Sequence, residues 1–350
     1  MDRRLRFAPL PSASPRLESK RMKAAYIEKT GPPENIRIGE LPKPAPAAEQ
    51  CLVRVKAVSV NPIDTYIRAG MVPMQIPLPF IVGCDLAGVV EAVGSDVKRF
   101  KVGDRVWGSN QGLLGRQGTF AEFAAVDETW LYPTPPGVKD EAAAAVALVG
   151  ITAALGLQYA KLRPNETLFV NGGSGGVGSN VLQMAKASGA RVITTAGSAE
   201  KAKVCRDLGA DLVLNYKTDD VPAGIKAFVG AGVDVWWETL RDPDFDRAVS
   251  CLAPRGRMII MAGRDARPPF PVGPFYVKGC SLNGFAMFNS PAEEQRACAE
   301  QINRWLSEGK LKPRIDRVMP LSETAEAHRL QEQSTVHKSG SLSGKIVLTP

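Results

Sequence analysis

The sequence predicts an α/β protein that combines a β-rich unit with a doubly wound parallel sheet. Short β-branched runs broken by Gly and Pro fill the chain from Met22 to about Val126, which is typical of an all-β unit. From about Ala142 to Phe285 the order of strand, glycine turn and helix repeats, which is typical of a parallel sheet with crossover helices. A length of 350 residues is sufficient for about two domains.

The first unit contains five strand-like runs, at Met22–Glu28, Cys51–Val60, Gly88–Val93, Arg105–Gly108 and Phe120–Val126. A following apolar run, Ala142–Leu157, is rich in Ala and Gly and shorter than the ~20 strongly apolar residues that cross a bilayer. It predicts a buried helix rather than insertion into a membrane.

The second unit contains six predicted strands, at Thr167–Asn171, Arg191–Thr195, Leu212–Tyr216, Val233–Glu238, Arg257–Ala262 and Ser281–Phe285. Helices are expected at Val177–Ser188 and Ala199–Leu208, each closed by a glycine. Trp236 and Trp237 are expected to bury one ring in the sheet and to pack the other near its edge. The last segment predicts helices at Glu293–Glu308 and Glu323–Gln333, and a final strand, Lys345–Leu348, that rejoins the first unit.

Composition and charge exclude several classes of function. Of the net charge of +8, half comes from residues 1–21, which hold six basic and two acidic residues. The rest lacks a basic stripe interleaved with aromatics, so a specific nucleic-acid partner is disfavoured and an anionic small molecule is favoured. Six scattered cysteines without CxxC spacing indicate reduced thiols in a cytoplasm. Two histidines are too few for a usual zinc cluster, so no metal site is predicted.

Residues 1–21 combine Pro, Ser and Arg without an apolar core, which favours a disordered extension or a start site placed too early. An organelle transit peptide is the alternative. Pro9, Pro11 and Pro15 oppose the amphipathic helix that such peptides form.

A glycine turn connects the first strand of the second unit to its helix. Gly173, Gly175 and Gly178 fit the pattern GxGxxG, in which the glycines allow a tight turn, close approach to a pyrophosphate and packing of helix on strand. Gly176 and Val177 lie at the start of the helix, whose N-terminus is expected to face the phosphates. The turn therefore predicts a dinucleotide site.

The end of the next strand indicates which dinucleotide binds. An NAD site carries Asp or Glu there, whereas residues 194–198 read Thr-Thr-Ala-Gly-Ser. Lys201 and Tyr216 follow and could converge on a 2′-phosphate, so NADPH is favoured over NADH. Two alternatives remain open: Lys201 as an ordinary solvated helix lysine, and Glu200 as a ribose ligand.

These motifs together resemble the medium-chain dehydrogenase/reductase superfamily, and within it the zinc-free quinone oxidoreductase branch. Besides the glycine turn, the resemblance is carried by NPIDTYIRAG from Asn61, GCDLAGVV from Gly83, VGDRV from Val102 and GTFAEF from Gly118. It implies a GroES-like catalytic domain from residues 22–141 and 291–350, a Rossmann NADPH-binding domain at 142–290, a cofactor cleft between them, and a homodimer.

The resemblance also implies roles for individual residues. Members similar to this chain surround the 2′-phosphate with residues that match Gly197, Ser198, Lys201 and Tyr216. Zinc-dependent relatives would have Cys where Asn61 stands and His where Cys84 stands; Cys84 is therefore expected to be a small buried side chain.

Catalysis without a metal requires the chain to position an acceptor and to stabilise the charge that develops on it. The candidates lie in the segment Asn61–Tyr66: Asn61 as an amide donor, Asp64 orienting its neighbours, and Tyr66 contacting cofactor or acceptor. Turn, cap and packing roles are the alternatives for these three.

Further cofactor contacts are expected at the carboxyl ends of later strands, from Thr239, Arg264 and Phe285. Lys345 fits a common ending of the family but equally an ordinary lysine at a strand edge.

The leading hypothesis is an NADPH-dependent reductase of quinones or similar electron-poor small molecules. Reduction of an α,β-unsaturated carbonyl, in a 2-alkenal or enoyl thioester, is the nearest alternative. It is weakened because Val72 stands where enoyl reductases of the superfamily would have Tyr. A non-catalytic NADPH-binding sensor is the third hypothesis.

Overall fold

Two large β-sheets, joined by one buried helix, organise the molecule. The structure, a computed structural model, describes residues 20–337 and 339–350. The predicted extension, residues 1–21, therefore lies outside the described residues except for its last two, and Arg21 already belongs to the first strand.

The strands are β1 (Arg21–Ile27), β2 (Arg37–Pro42), β3 (Gln50–Ser59), β4 (Phe80–Ile81), β5 (Leu86–Val93), β6 (Arg105–Gly108), β7 (Phe123–Asp127), β8 (Leu131–Pro133), β9 (Thr167–Val170), β10 (Arg191–Ala196), β11 (Leu212–Asn215), β12 (Val233–Glu238), β13 (Leu252–Ile260), β14 (Ser281–Gly284), β15 (Ile315–Pro320) and β16 (Lys345–Thr349). The helices are α1 (Pro62–Ala69), α2 (Asp140–Tyr159), α3 (Gly176–Ala187), α4 (Ala199–Asp207), α5 (Val221–Val229), α6 (Phe245–Cys251), α7 (Val272–Val277), α8 (Ala292–Ser307) and α9 (Thr324–Thr335).

The second unit is a parallel sheet of six strands in the order β11-β10-β9-β12-β13-β14. The strand order reverses direction between β9 and β12, which is the switch point where doubly wound sheets bind ligands. The prediction of six strands and of a doubly wound sheet is confirmed. Helices α5, α6 and α7 were not predicted, because each has nine residues or fewer and α5 carries Pro222 and Gly224.

The first unit contains a sheet of seven strands, ordered β15-β16-β3-β5-β6-β8 with β7 paired to β3, and a smaller sheet ordered β2-β1-β4. Strand β16 runs antiparallel to β3, with Val347 opposite Ser59. The chain therefore returns to the first unit at its end, as predicted, and brings Lys345 next to the residues that follow β3.

Helix α2 is long and apolar enough to cross a membrane by length and composition, but 78% of its most apolar window is buried inside the protein. It packs against α3 and α8 and against strands of the seven-stranded sheet. Gly156 allows the close contact with the six-stranded sheet, since a Cβ there would lie 2.1 Å from the ring of Trp237. The predicted buried helix is confirmed.

The prediction that one of the two neighbouring tryptophans lies near the sheet edge is wrong. Trp236 and Trp237 are both fully buried. Trp236 stacks on Phe169 at a centroid distance of 4.1 Å, and Trp237 packs against α2. The parallel sheet is covered on both faces, so the two rings, which point to opposite faces of β12, lie in two different apolar clusters.

Candidate active site and cofactor cleft

The glycine turn lies at the switch point, between β9 and α3. A Cβ on Gly173 would lie 2.4 Å from the Thr194 hydroxyl oxygen, and one on Gly178 would lie 2.3 Å from the Gly172 carbonyl oxygen. At Gly175, by contrast, the one neighbour of a Cβ would be the Gly172 oxygen, at 3.3 Å. Two glycines therefore permit close packing within the turn, and the third leaves open space beside it.

Two threonines at the end of β10 hold the turn in place. The Thr195 hydroxyl accepts a hydrogen bond from Gly172 N–H at 3.0 Å, and that of Thr194 accepts one from Gly173 N–H at 2.9 Å. The next N–H groups, at the start of α3, lie before the helix's own hydrogen bonding begins. A helix N-terminus of this kind attracts a phosphate group.

The predicted residues for the 2′-phosphate come together beyond the turn. We call Gly197, Ser198, Lys201 and Tyr216 the ribose pocket. The Tyr216 phenol lies so close to Gly197 that a Cβ there would be 2.3 Å from its oxygen. Ser198 caps α4 by accepting from Lys201 N–H at 3.3 Å.

Lys201 extends from α4 towards the segment before β16. Its ammonium donates to the carbonyl oxygens of Gly340 and Leu342, the latter at 2.9 Å. Burial lowers the pKa of Lys201, the Asp316 carboxylate opposes that shift, and the Lys217 ammonium adds to it. Two of its three donors are thus used, and a second cation lies close by.

Asn61 marks the start of α1 and lies in a buried polar cluster, which we define as Asn61, Asp64, Asp85 and Lys345. The Asn61 amide donates to Asp85 at 2.8 Å and to the Ser59 carbonyl oxygen at 3.2 Å, and its oxygen accepts from the Lys345 ammonium. The Asp64 carboxylate accepts from Asn61 backbone N–H at 2.7 Å. All four side chains are buried.

This geometry changes the predicted role of Asn61. Both amide hydrogens are committed within the chain, and the side chain is fully buried. No donor is left for an acceptor molecule, so the arrangement suits a positioning residue. The orienting role expected of Asp64 agrees with its bond to Asn61.

The buried polar cluster has strongly shifted ionisation. Burial raises the pKa of Asp64 to about 7, against a hydrogen bond from the Cys84 thiol that lowers it. Burial also raises the pKa of Asp85, and the Lys345 ammonium opposes that shift. For Lys345, burial lowers the pKa while both carboxylates raise it. Burial disfavours each charge, and the opposite charges partly compensate.

The interpretation of Lys345 as a strand-edge lysine is wrong. Its strand lies between β15 and β3, and the side chain is 4% exposed. Its ammonium donates to the Val60 carbonyl oxygen at 2.6 Å, and its Cδ lies 3.2 Å from where a Cβ on Gly176 would be. Lys345 thus links the start of α1 to the glycine turn. The sequence pattern that could have identified Lys345 as buried is a lysine at the start of an apolar run.

Tyr66 lies on the other side of α1, half-buried where the two units are in contact. The Arg241 guanidinium is 5.5 Å from its ring centroid, and its phenol is hydrogen-bonded to Thr335. Burial raises the pKa of Tyr66, which keeps the phenol protonated. Arg264 reaches across from the parallel sheet and donates to the Met71 carbonyl oxygen at 3.1 Å.

Beside this contact lies a cleft of about 230 Å³, whose lining residues all come from the second unit: Arg241, Asp242, Gly263, Arg264, Asp265 and Ala266. Arg264 was predicted from its position after β13, whereas Arg241, three residues beyond β12, was missed. Arg241 and Arg264 therefore line one cleft, and Tyr66 lies beside it, in contact with Arg241.

The remaining predicted contacts lie at the same edge of the parallel sheet. The Thr239 hydroxyl donates to the Asn171 carbonyl oxygen at 3.0 Å, next to the glycine turn. Phe285 packs edge-on against Tyr159 at 5.3 Å between centroids. Glu238 was missed: it is buried, and its carboxylate accepts from the Asn171 amide at 2.9 Å. The sequence pattern that could have identified Glu238 is an acidic residue at the end of an apolar strand.

The site can also be tested for metal ligands. Within residues 20–337 and 339–350, no group of three or more His, Cys, Asp and Glu side chains is arranged to hold a metal ion. Cys84 is fully buried, as predicted, and burial raises the pKa of its thiol well above the usual range.

Two family models match the chain: "Alcohol dehydrogenase GroES-like domain" over residues 47–136 and "Zinc-binding dehydrogenase" over residues 176–304. Among curated relatives, the quinone oxidoreductase of Sus scrofa is 34% identical over 94% of this chain and 98% of its own length. The chain belongs to the quinone oxidoreductase branch of the medium-chain dehydrogenase/reductase superfamily.

Solved structures agree with this assignment. The Escherichia coli quinone oxidoreductase complexed with NADPH has a TM-score of 0.81 and 29% identity, covering 94% of this chain and 99% of that one. An NAD-dependent alcohol dehydrogenase has a TM-score of 0.83 and 31% identity, covering 94% and 100%. As a family member, the chain is an oxidoreductase that uses a nicotinamide cofactor and a small-molecule substrate.

Proposed function

We propose that this family member uses NADPH to reduce quinones or similar electron-poor acceptors, without zinc. The observation that carries the proposal is the ribose pocket beyond the glycine turn, in which the Tyr216 phenol lies against Gly197 and Ser198 accepts from the Lys201 backbone N–H. A cation and a phenol suit a 2′-phosphate, whereas a ribose hydroxyl would need a carboxylate at the end of β10. The complex of the Escherichia coli relative with NADPH supports it.

The residues present fit a dinucleotide. The open space beside Gly175 and the N-terminus of α3, with Gly176, Val177 and Gly178, would hold the pyrophosphate. Gly173 supports the turn. Thr239, Arg264 and Phe285 would line the rest of the dinucleotide site. The carboxyl of Glu200, the rival ribose ligand, is hydrogen-bonded to its own backbone N–H and to the Ser198 hydroxyl, and both bonds lower its pKa.

When bound, NADPH supplies the hydride, so the chain has to orient the acceptor and stabilise the charge that develops on it. Arg241 and Arg264 line the cleft together with Asp242 and Asp265, which balance part of their positive charge, and Tyr66 beside it adds a phenol that stays protonated. Tyr66 would contact cofactor or acceptor directly. Asn61 and Asp64 would position Tyr66 indirectly, by fixing the start of α1.

The parallel sheet also supports a proposal about domains and oligomeric state. We propose that residues 142–290 form the NADPH-binding domain, that residues 22–141 and 291–350 form the catalytic domain, and that the protein is a cytoplasmic homodimer. Strand β14 is at the edge of the parallel sheet, and Val272, Tyr276 and Val277 on neighbouring α7 are more than 60% exposed. An exposed edge beside apolar side chains suits pairing with a second copy.

The test is to follow the NADPH absorbance with a quinone, with a 2-alkenal and without acceptor. Oxidation that depends on the quinone supports the proposal. Oxidation with the alkenal alone would assign the reduction of α,β-unsaturated carbonyls instead, and binding without oxidation by either would favour a sensor. Addition of zinc should leave the quinone-dependent rate unchanged.

A further inference from the structure

A second groove, of about 720 Å³, lies where the β6–β8 edge of the seven-stranded sheet meets α8. None of its lining residues belongs to the glycine turn, the ribose pocket, the buried polar cluster or the cleft beside Tyr66. The groove is larger than that cleft, so it can accommodate a molecule of metabolite size.

Two hydroxyl groups in this groove are buried without partners. Tyr132 is 1% exposed and Thr134 is 8% exposed, and neither side-chain oxygen has a hydrogen-bond partner in the part of the chain that the structure describes. Buried hydroxyls in native proteins almost always have a partner, which can be a water, an ion or a ligand. Burial raises the pKa of Tyr132, so its phenol is a hydrogen-bond donor at neutral pH.

Two guanidinium groups reach the groove from different elements. Arg99, in the connection from β5 to β6, is held by the carbonyl oxygens of Glu128 at 2.7 Å and Leu131 at 3.2 Å. Burial lowers the pKa of Arg99, and the Arg296 guanidinium, on α8, lowers it further. Both guanidinium groups also oppose the rise in the pKa of the Tyr132 phenol that burial causes. Two like charges and a phenol therefore lie close together.

Arg296 is not neutralised by the carboxylates of the groove. Among the described residues it has no ion pair within 4 Å, whereas Arg105, the third arginine of the groove, is paired with Asp140. The Arg296 Nε is buried without a hydrogen-bond partner. Asp104 is paired with Lys101 at 2.8 Å. Glu300, an exposed residue one helical turn after Arg296, is the carboxylate with which an arriving anion would compete.

We propose that this groove is a second small-molecule site, which binds an oxyanion group, a carboxylate or a phosphate, between Arg99 and Arg296. The hydroxyls of Tyr132 and Thr134 donate to the remaining oxygens of that group. Phe100, which also lines the groove, offers apolar surface for the rest of the ligand. The proposal is independent of the acceptor that the active site reduces.

The test is isothermal titration of the full chain, saturated with NADPH so that the cofactor site is filled. Inorganic phosphate and succinate are the probes, each at constant ionic strength. At least one of them should bind saturably at one site per chain. Saturation by phosphate alone assigns phosphate esters as the ligand class, and saturation by succinate alone assigns carboxylates.

Three variants separate this groove from nonspecific binding. Arg296→Gln removes one charge and Tyr132→Phe removes one hydroxyl. Each variant should bind the probe with an affinity lower by about tenfold or more. Arg304→Gln, on an exposed part of the same helix, should bind like the wild type. Equal affinity in all four proteins, or no saturable binding of either probe, would overturn the proposal.

Discussion

The buried polar cluster and the ribose pocket are built in opposite ways. In the cluster, Asp64, Asp85 and Lys345 are removed from water and depend on one another and on Asn61. In the ribose pocket, Tyr216 is 56% exposed, and the Lys201 ammonium is held by backbone carbonyl groups. The cluster is part of the folded core, whereas the pocket can change without loss of the fold. Changes in the first should therefore affect stability, and changes in the second should affect cofactor choice.

The largest expected effect is on stability, and it contrasts one lysine from each region. Lys345→Met leaves two buried carboxylates without their cation, so the free energy of unfolding should fall by about 3–5 kcal/mol. Lys201→Met should lower it by about 0.5–1.5 kcal/mol, because its partners are carbonyl groups near the surface. Urea denaturation measures both values. Equal losses in the two variants would contradict the contrast.

The second effect is on cofactor choice. Lys201→Ala removes a charged hydrogen bond worth about 1.5–3 kcal/mol, so the preference for NADPH over NADH should fall roughly 10- to 150-fold. Lys203→Ala is the matched control, since this residue of the same helix points to solvent and pairs with Asp207. Fluorescence titration with both cofactors gives the ratio. An unchanged ratio in Lys201→Ala would remove Lys201 from the site.

The third effect concerns pH and the buried polar cluster. Burial raises the pKa of Asp64 to about 7, whereas an unfolded Asp titrates near 3.9. Between these values the folded chain holds a proton that the unfolded chain has released, so this group lowers stability as the pH rises from about 4 to 7. Asp64→Asn should remove a slope of at most about 1.4 kcal/mol per pH unit.

Denaturation at pH 5, 6 and 7 measures that slope. Asp219→Asn is the control: the Asn215 backbone N–H lowers the pKa of this exposed carboxyl, so its difference from the wild type should stay constant over that range. If Asp64→Asn also kept a constant difference from the wild type, Asp64 would be ionised throughout.

The smallest effect is expected at the cleft. Tyr66→Phe removes one phenol, so turnover with the preferred acceptor should fall about two- to tenfold while NADPH affinity stays unchanged. Tyr26→Phe, on the small sheet remote from the cleft, should keep full turnover. Steady-state kinetics and cofactor titration separate the two quantities. Full turnover in Tyr66→Phe would place the acceptor elsewhere.

The comparison also explains what could be predicted from the sequence. The glycine turn and the ribose pocket depend on residues that are close in sequence, such as Ser198 and Lys201, so a local pattern describes them. The bond between Asn61 and Lys345 joins residues 284 positions apart. Sequence periodicity predicts that β16 returns to the first unit, but it does not give the register that places this ammonium beneath α1.

Other differences between the predicted and the observed elements have local causes. The four inner strands of the parallel sheet were predicted because buried parallel strands are continuous apolar runs, whereas β8, with three residues, is too short to show a period. Arg241 escaped prediction because it lies in a loop, where no periodicity indicates the direction of a side chain. Its partner across the cleft, Tyr66, was identified through the resemblance rather than through a pattern.

The central claim is that this family member binds NADPH between the glycine turn and the ribose pocket. A crystal structure of the NADPH complex tests it most directly. We expect the pyrophosphate at the N-terminus of α3 and the 2′-phosphate within hydrogen-bond distance of the Lys201 ammonium and the Tyr216 phenol. A 2′-phosphate that lies in solvent, away from both side chains, would contradict the account.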